Sequence, residues 1–162
     1  MDSTSTSIDK QNMKRAFDYA LISLERNGGP FGCVICDSEN NIIGKGHNMV
    51  TIHNDPTQHA EIVAIRDACH FNNNFDLSGC TLYTSCEPCP MCLGAIYWAK
   101  INKIYYCNTR TDAKNIGFDD EFIYDEIKKP IEERAVKMNK IDLEDGLVAF
   151  NLWSSKNDKI SY

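Results

Sequence analysis

The chain has 162 residues, of which 43% are apolar and 25% charged, enough for one domain with its own core and ordinary for a globular protein. A formal net charge of −6 argues against a protein whose main task is gripping nucleic-acid phosphates, and no apolar run is long enough to span a membrane. No signal-peptide pattern opens the chain, and the eight cysteines, several of them in apolar runs, point to a reducing compartment, the cytoplasm, rather than to a disulfide scaffold.

In chain order, residues 1–8 are rich in Ser and Thr and are expected to form a flexible tail, leaving 9–162 as a single domain. From Asp9 the apolar positions Met13, Ala16, Phe17, Ala20, Leu21 and Leu24 recur at helical spacing, and Arg26-Asn27-Gly28 suits a helix end. Cys33-Val34-Ile35-Cys36 reads as a strand buried on both faces. Cys33 and Cys36 then point to opposite faces and cannot share a metal. Phe31, among glycines at the mouth of that strand, serves equally well as core packing or as a pocket wall.

Ser38 to Asn41 is a turn, and Ile42 to Asn48 is a second strand pairing back as a hairpin. Asn48, at its end, either forms a turn or reads a base edge with one donor and one acceptor. His47 and His53 are expected at the surface or in loops. Asp55-Pro56-Thr57 looks like a helix start, with helix formers from Ala60 to Cys69 and His70 at the helix end.

The segment from Pro56 to Cys92 carries the chemistry. It holds His59-Ala60-Glu61 and Pro88-Cys89-Pro90-Met91-Cys92, a His-x-Glu followed by Pro-Cys-x-x-Cys, the composite pattern of a zinc deaminase site. His59, Cys89 and Cys92 offer one imidazole and two thiolates, the donors zinc prefers. Three protein ligands leave a fourth position for water, whose pKa the metal lowers toward neutrality. Pro90 fits the first position of a helix running to Lys100, which puts Cys89 and Cys92 about a turn apart at its N-terminus. His59 and Glu61 can converge only at the rim of the preceding helix. Two helix N-termini therefore face one metal and favour thiolates there. Glu61, which is not a ligand, can act as general acid–base, and apolar surroundings would raise its pKa. The competing possibility is a closed structural site. Cys86-Glu87-Pro88-Cys89 is a second Cys-x-x-Cys, and Cys86 could complete a four-ligand set with His59, Cys89 and Cys92.

Around this motif, Cys80 to Ser85 and Ile101 to Asn108 read as strands. Trp98 is placed in the core or on a pocket floor about two turns from the metal. Thr109 to Asp120 is polar, and Gly117-Phe118-Asp119-Asp120 suits a solvated turn or a substrate grip. Glu121 to Lys128 reads as a short helix stopped by Pro130, Arg134 to Leu143 as a fifth strand, and Leu147 to Trp153 as the start of a last helix. The alternation predicts an α/β fold, a three-layer α/β/α sandwich with a mixed five-stranded sheet.

The sequence resembles the cytidine deaminase-like superfamily and, within it, the guanine deaminases. The resemblance rests on Gly28 to Gly32, Asn54-Asp55-Pro56-Thr57, His59-Ala60-Glu61, the block from Leu82 to Ala99, and Gly117 to Asp120 followed by Phe122-Ile123-Tyr124. It implies hydrolytic deamination of guanine to xanthine and ammonia with a Zn2+ cofactor. It also implies purine contacts from Asn48, Phe31, Ala60, Trp98 and Asp120, and a homodimer that swaps residues ~143–162 so that Tyr162 closes the partner's site. Gln58 departs from that pattern, which mostly has alanine there, and could alter the pocket rim; Cys33 is a harmless departure. Other expectations on the same fold are deamination of guanosine, cytosine or transfer-RNA adenosine. A non-enzymatic protein with a structural zinc site is the remaining one.

Overall fold

The computed structural model describes residues 6–162 and divides into two units, one ending at Asp120 and one formed by Glu121–Tyr162. The first unit is built on a four-stranded sheet. The strands are β1 (Gly32–Cys36), β2 (Ile42–His47), β3 (Thr81–Cys86) and β4 (Lys103–Asn108), in the order β2-β1-β3-β4. β1 runs antiparallel to both β2 and β3, and β3 parallel to β4, so the sheet is mixed. Helix α1 (Ser7–Glu25) covers one face. There Val34, Cys36 and Tyr83 form a small core with Met13 and Tyr19. The opposite face carries the larger core, where Cys33, Ile35 and Leu82 meet the helices that bear the site. Cys33 and Cys36 do face opposite sides, as strand alternation requires.

Helix α1 begins earlier than expected. Thr6 caps it, accepting from the Asp9 amide, while the Asp9 carboxylate accepts from the Thr6 amide at 2.7 Å. Only residues 1–5 of the expected tail lie outside the described residues. Asp9 also accepts a buried 2.7 Å hydrogen bond from the Tyr83 hydroxyl. Burial opposes its charge, but this bond and those from Thr6 outweigh it and hold its pKa at about 2.

The β1–β2 hairpin turns on Asp37, whose Oδ1 accepts from the amides of Glu39 and Asn41. A four-residue helix, α2 (Val50–His53), then leads to α3 (Ala60–Asn72). Asp55-Pro56-Thr57 does not start α3. Asp55 closes a local turn instead, accepting from the Thr57 amide at 2.8 Å. How α3 sits follows from small residues on both partners. Ala60, Ala64 and Ala68 form a fully buried stripe at i, i+4 spacing, and it lies on Gly44 and Gly46 of β2. A Cβ at Gly46 would collide with the Ala60 carbonyl, and one at Gly44 would come within 2.7 Å of the Ala68 side chain. The helix backbone therefore seats directly on the strand, which fixes where its first turn ends.

Helix α4 (Pro90–Trp98) crosses over between the parallel strands β3 and β4. The polar segment after β4 holds an unforeseen helix, α5 (Arg110–Asn115), capped by a Thr109–Asp112 box. His47, expected at the surface, is buried at the end of β2, with Nδ1 3.2 Å from the Asn48 carbonyl.

The second unit contains α6 (Glu121–Lys128), a single 3-10 turn (Ile131–Glu133) and α7 (Val148–Ser155). The expected fifth strand does not form, and residues 134–143 are irregular. The apolar alternation there slips by one residue between Met138 and Ile141, so Val136 and Met138 fall out of phase with Ile141 and Leu143. No strand face could present all four.

Candidate metal and deamination site

The site is assembled from two helix starts. His59 is the N-cap of α3 and Cys89 the N-cap of α4, with Pro90 at the first helical position and Cys92 one turn in. One ligand atom each from His59, Cys89 and Cys92 lies within 4.8 Å of the others. The helix N-termini supply unsatisfied N–H groups and positive dipole ends, which favour sulfur as thiolate. The charge state agrees: a hydrogen bond from Cys92, with another from His59, holds the Cys89 thiol down to about 4, although burial opposes it. His59, with Nδ1 3.5 Å from the Cys89 sulfur, is shifted upward, first by that hydrogen bond. One imidazole and two sulfurs converging at this spacing fit a tetrahedral zinc ion with one corner left over.

Cys86 does not complete the set. It closes β3 and its Sγ points to the Thr109 carbonyl, 3.5 Å away. Among the described residues, the only clustered metal donors are His59, Cys89 and Cys92. The closed four-ligand arrangement therefore has no support in the geometry.

Glu61, on the first turn of α3, is 6% exposed and reaches the same place. One carboxylate oxygen, Oε1, accepts from the Thr84 hydroxyl at 3.1 Å, and the other faces the Cys92 sulfur at 3.4 Å. Burial pushes its pKa up from the ordinary carboxylate range. The site thus pairs a metal-binding corner with a desolvated acid that is not one of the ligands, the combination needed to move protons beside a Lewis acid.

Other expected residues gather at the same edge of the sheet. The Asn48 amide donates to the Phe31 carbonyl at 3.1 Å, and Met49 donates to the Gln58 carbonyl at 2.9 Å, which ties this loop to the residue before His59. The Asn48 side chain is buried, and its Oδ1 accepts from the Val50 amide at 3.2 Å, so the turn-forming role is realised. Phe31 is half-buried against the core and meets Phe118 edge-on, ring centroids 4.9 Å apart. The packing role is therefore realised. Ala60 is fully buried at the start of α3. Asp120 is partly buried, and burial followed by the Cys89 charge raises its pKa.

The Gln58 side chain donates to Asp55 at 3.0 Å and meets His53 Nδ1 at 2.8 Å. Trp98 ends α4 with 67% of its surface exposed, about 14 Å along the helix axis from Cys89, so of its two expected places the core is excluded for this chain. Tyr162 lies in the second unit and is exposed. Sequence reasoning missed Thr84, for which no motif gives a signal. It also missed α5, which the Thr109-x-x-Asp112 box could have revealed.

A four-stranded mixed sheet between helices, with imidazole and thiolates at two helix starts, defines a zinc-site deaminase scaffold. Residues 6–108 match the family described as the cytidine and deoxycytidylate deaminase zinc-binding region, and the chain belongs to that family. It is 48% identical over 151 residues to the guanine deaminase of Bacillus subtilis strain 168, covering 93% of this chain and 96% of that one. The crystal structure of a Bacillus subtilis guanine deaminase superposes with a TM-score of 0.91 at 45% identity, covering 100% of this chain and 99% of that one. A transfer-RNA-specific adenosine deaminase from Haemophilus influenzae is 38% identical over 98 residues, 60% of this chain and 57% of its own length.

Proposed function

We propose that the protein is a zinc-dependent guanine deaminase that converts guanine and water to xanthine and ammonia. The observation that carries this is the convergence of His59, Cys89 and Cys92 within 4.8 Å beside the buried, non-ligating carboxyl of Glu61. The purine assignment is supported by the reach of the likeness. Similarity to a guanine deaminase covers 93% of this chain at 48% identity, whereas similarity to transfer-RNA adenosine deaminases is lower, 35–43%, and covers 58–82% of it.

His59, Cys89 and Cys92 would hold the zinc ion, which when bound supplies Lewis acidity and a nucleophile from water near neutral pH. Glu61 takes the proton released from water and passes it to a ring nitrogen. It then takes the remaining proton, from the hydroxyl added to the ring carbon, and delivers it to the amine, which leaves as ammonia while that oxygen becomes the product carbonyl. Asp120 offers a carboxylate to the N–H edge of the base, and Asn48 an amide with one donor and one acceptor. Phe31, braced by Phe118, walls the ring, and Ala60 sits where α3 begins beneath it.

A substrate panel tests the reading: guanine should release ammonia, with guanosine, cytosine and transfer-RNA adenosine turned over far more slowly. Turnover of guanosine or folded RNA with guanine inert would transfer the assignment to another deaminase of this fold.

The active form in this proposal is a cytoplasmic homodimer exchanging residues ~143–162, with Tyr162 and Trp98 serving a pocket across protomers. Support comes from the second unit itself, in which no described residue is buried. Leu147, Phe150 and Leu152 of its last segment are each more than 60% exposed. Apolar area of that kind is stabilised by a partner surface. Co-expressing Glu61→Ala and Tyr162→Ala chains should restore turnover above either variant alone, because exchange gives one intact site per mixed dimer. Failure to complement in a confirmed mixed dimer would remove the exchange.

A further inference from the structure

Beneath Glu61 lies a cross-strand pair, Cys33 on β1 and Thr84 on β3, both almost fully buried. Their roles differ. Cys33 is a neutral thiol, its ionisation suppressed by burial and by the Glu61 charge. Thr84 presents a hydroxyl 3.1 Å from Oε1 of Glu61. Strand β3 is hydrogen-bonded on both sides, to β1 and β4, and a β-branched side chain on it has little χ1 freedom. The hydroxyl is therefore a fixed donor. The second oxygen of Glu61, Oε2, accepts from the Cys92 thiol at 3.4 Å, on the ligand side.

We propose that Thr84 is a positioning residue: it anchors Oε1 of Glu61 to the sheet, so that Oε2 alone turns toward the ligand cluster and carries the proton during deamination. The inference rests on the deaminase reading above and adds a residue that lies outside the zinc motif. Both oxygens accept, but a thiol is a weak donor and a hydroxyl a strong one, so the oxygen held by Thr84 is the poorer base of the two, and a carboxylate held there cannot rotate away from its reacting partner.

The test compares Thr84→Val, which keeps the shape and removes the donor, with Thr84→Ser, which keeps the donor and removes the methyl. Thr84→Ala, which only deletes atoms, is read alongside in case valine perturbs folding. The valine variant should retain zinc and lose about 10- to 100-fold in kcat with KM within about twofold, as expected for a lost hydrogen bond to a charged group. Serine should recover to within about threefold of the parent. A valine variant within about twofold of the parent overturns the proposal. So does a serine variant as impaired as valine, which would assign the effect to methyl packing. A readout without turnover separates this from the choice of substrate. The side-chain carboxyl carbon of Glu61, assigned through Glu61→Gln in carbon-13 spectra, should shift in the valine variant and not in the serine variant. If the parent leaves guanine untouched, the guanine reading fails while this resonance still decides the role of Thr84, and an unmoved resonance overturns it.

Discussion

Replacing Glu61 by alanine should abolish guanine turnover, with a loss of at least about 1000-fold in kcat, while zinc content stays at the parent value. The separation follows from the contacts. Glu61 is not among the clustered donors, and its oxygens engage Thr84 and face Cys92. General acid–base catalysis contributes about 10²- to 10⁴-fold, and here the same carboxyl is asked to serve in both directions. Stability should change little, because two effects oppose each other. Loss of the carboxyl leaves the buried Thr84 hydroxyl without that acceptor, a cost of about 1–3 kcal/mol. It also removes a desolvated acid whose charge the interior disfavours, which is favourable. Ammonia release and elemental analysis on the same sample check the prediction. A Glu61→Ala chain that still turns over guanine would end the mechanism.

The second large effect concerns the ligands. Cys89→Ser and Cys92→Ser should each weaken zinc binding by more than about 100-fold, beyond the cost of losing an outer-shell partner, and activity should fall with it. Cys86→Ser should keep one zinc per chain, because its sulfur is directed at the Thr109 carbonyl and stands outside the cluster. Competition with a colorimetric chelator measures all three. Equal zinc loss in the Cys86 variant would mean a saturated four-ligand centre with no corner for water, and the enzymatic reading would fall with it.

The parts of this protein that were legible in advance are those where chemistry and local geometry coincide. A proline after Cys89 and a turn of spacing to Cys92 are enough to place two sulfurs at a helix start. The same holds for the doubly buried strand around Val34, whose unbroken apolar run has one consistent reading. The misreadings share a cause. Residues 134–143 have strand-like composition, but a strand needs a partner edge and a single face, and the phase slip at Met138–Ile141 denies it the second. Trp98 resembles a core aromatic in its apolar helix, yet whether such a ring is covered depends on what lies opposite, which helical spacing does not state.

By itself the sequence determined the donor set, the helix start at Cys89-Pro90 that carries two of its members, and the acid beside it, because metal-ligand chemistry and helix capping act over only a few residues. Tertiary structure alone decided that Cys86 turns away, that Ala60, Ala64 and Ala68 seat α3 on Gly44 and Gly46, and that Thr84 stands under Glu61. Those outcomes depend on strand register and on close backbone approach between segments 14 to 24 residues apart or more, and such approaches are settled only when the sheet and its helices pack together.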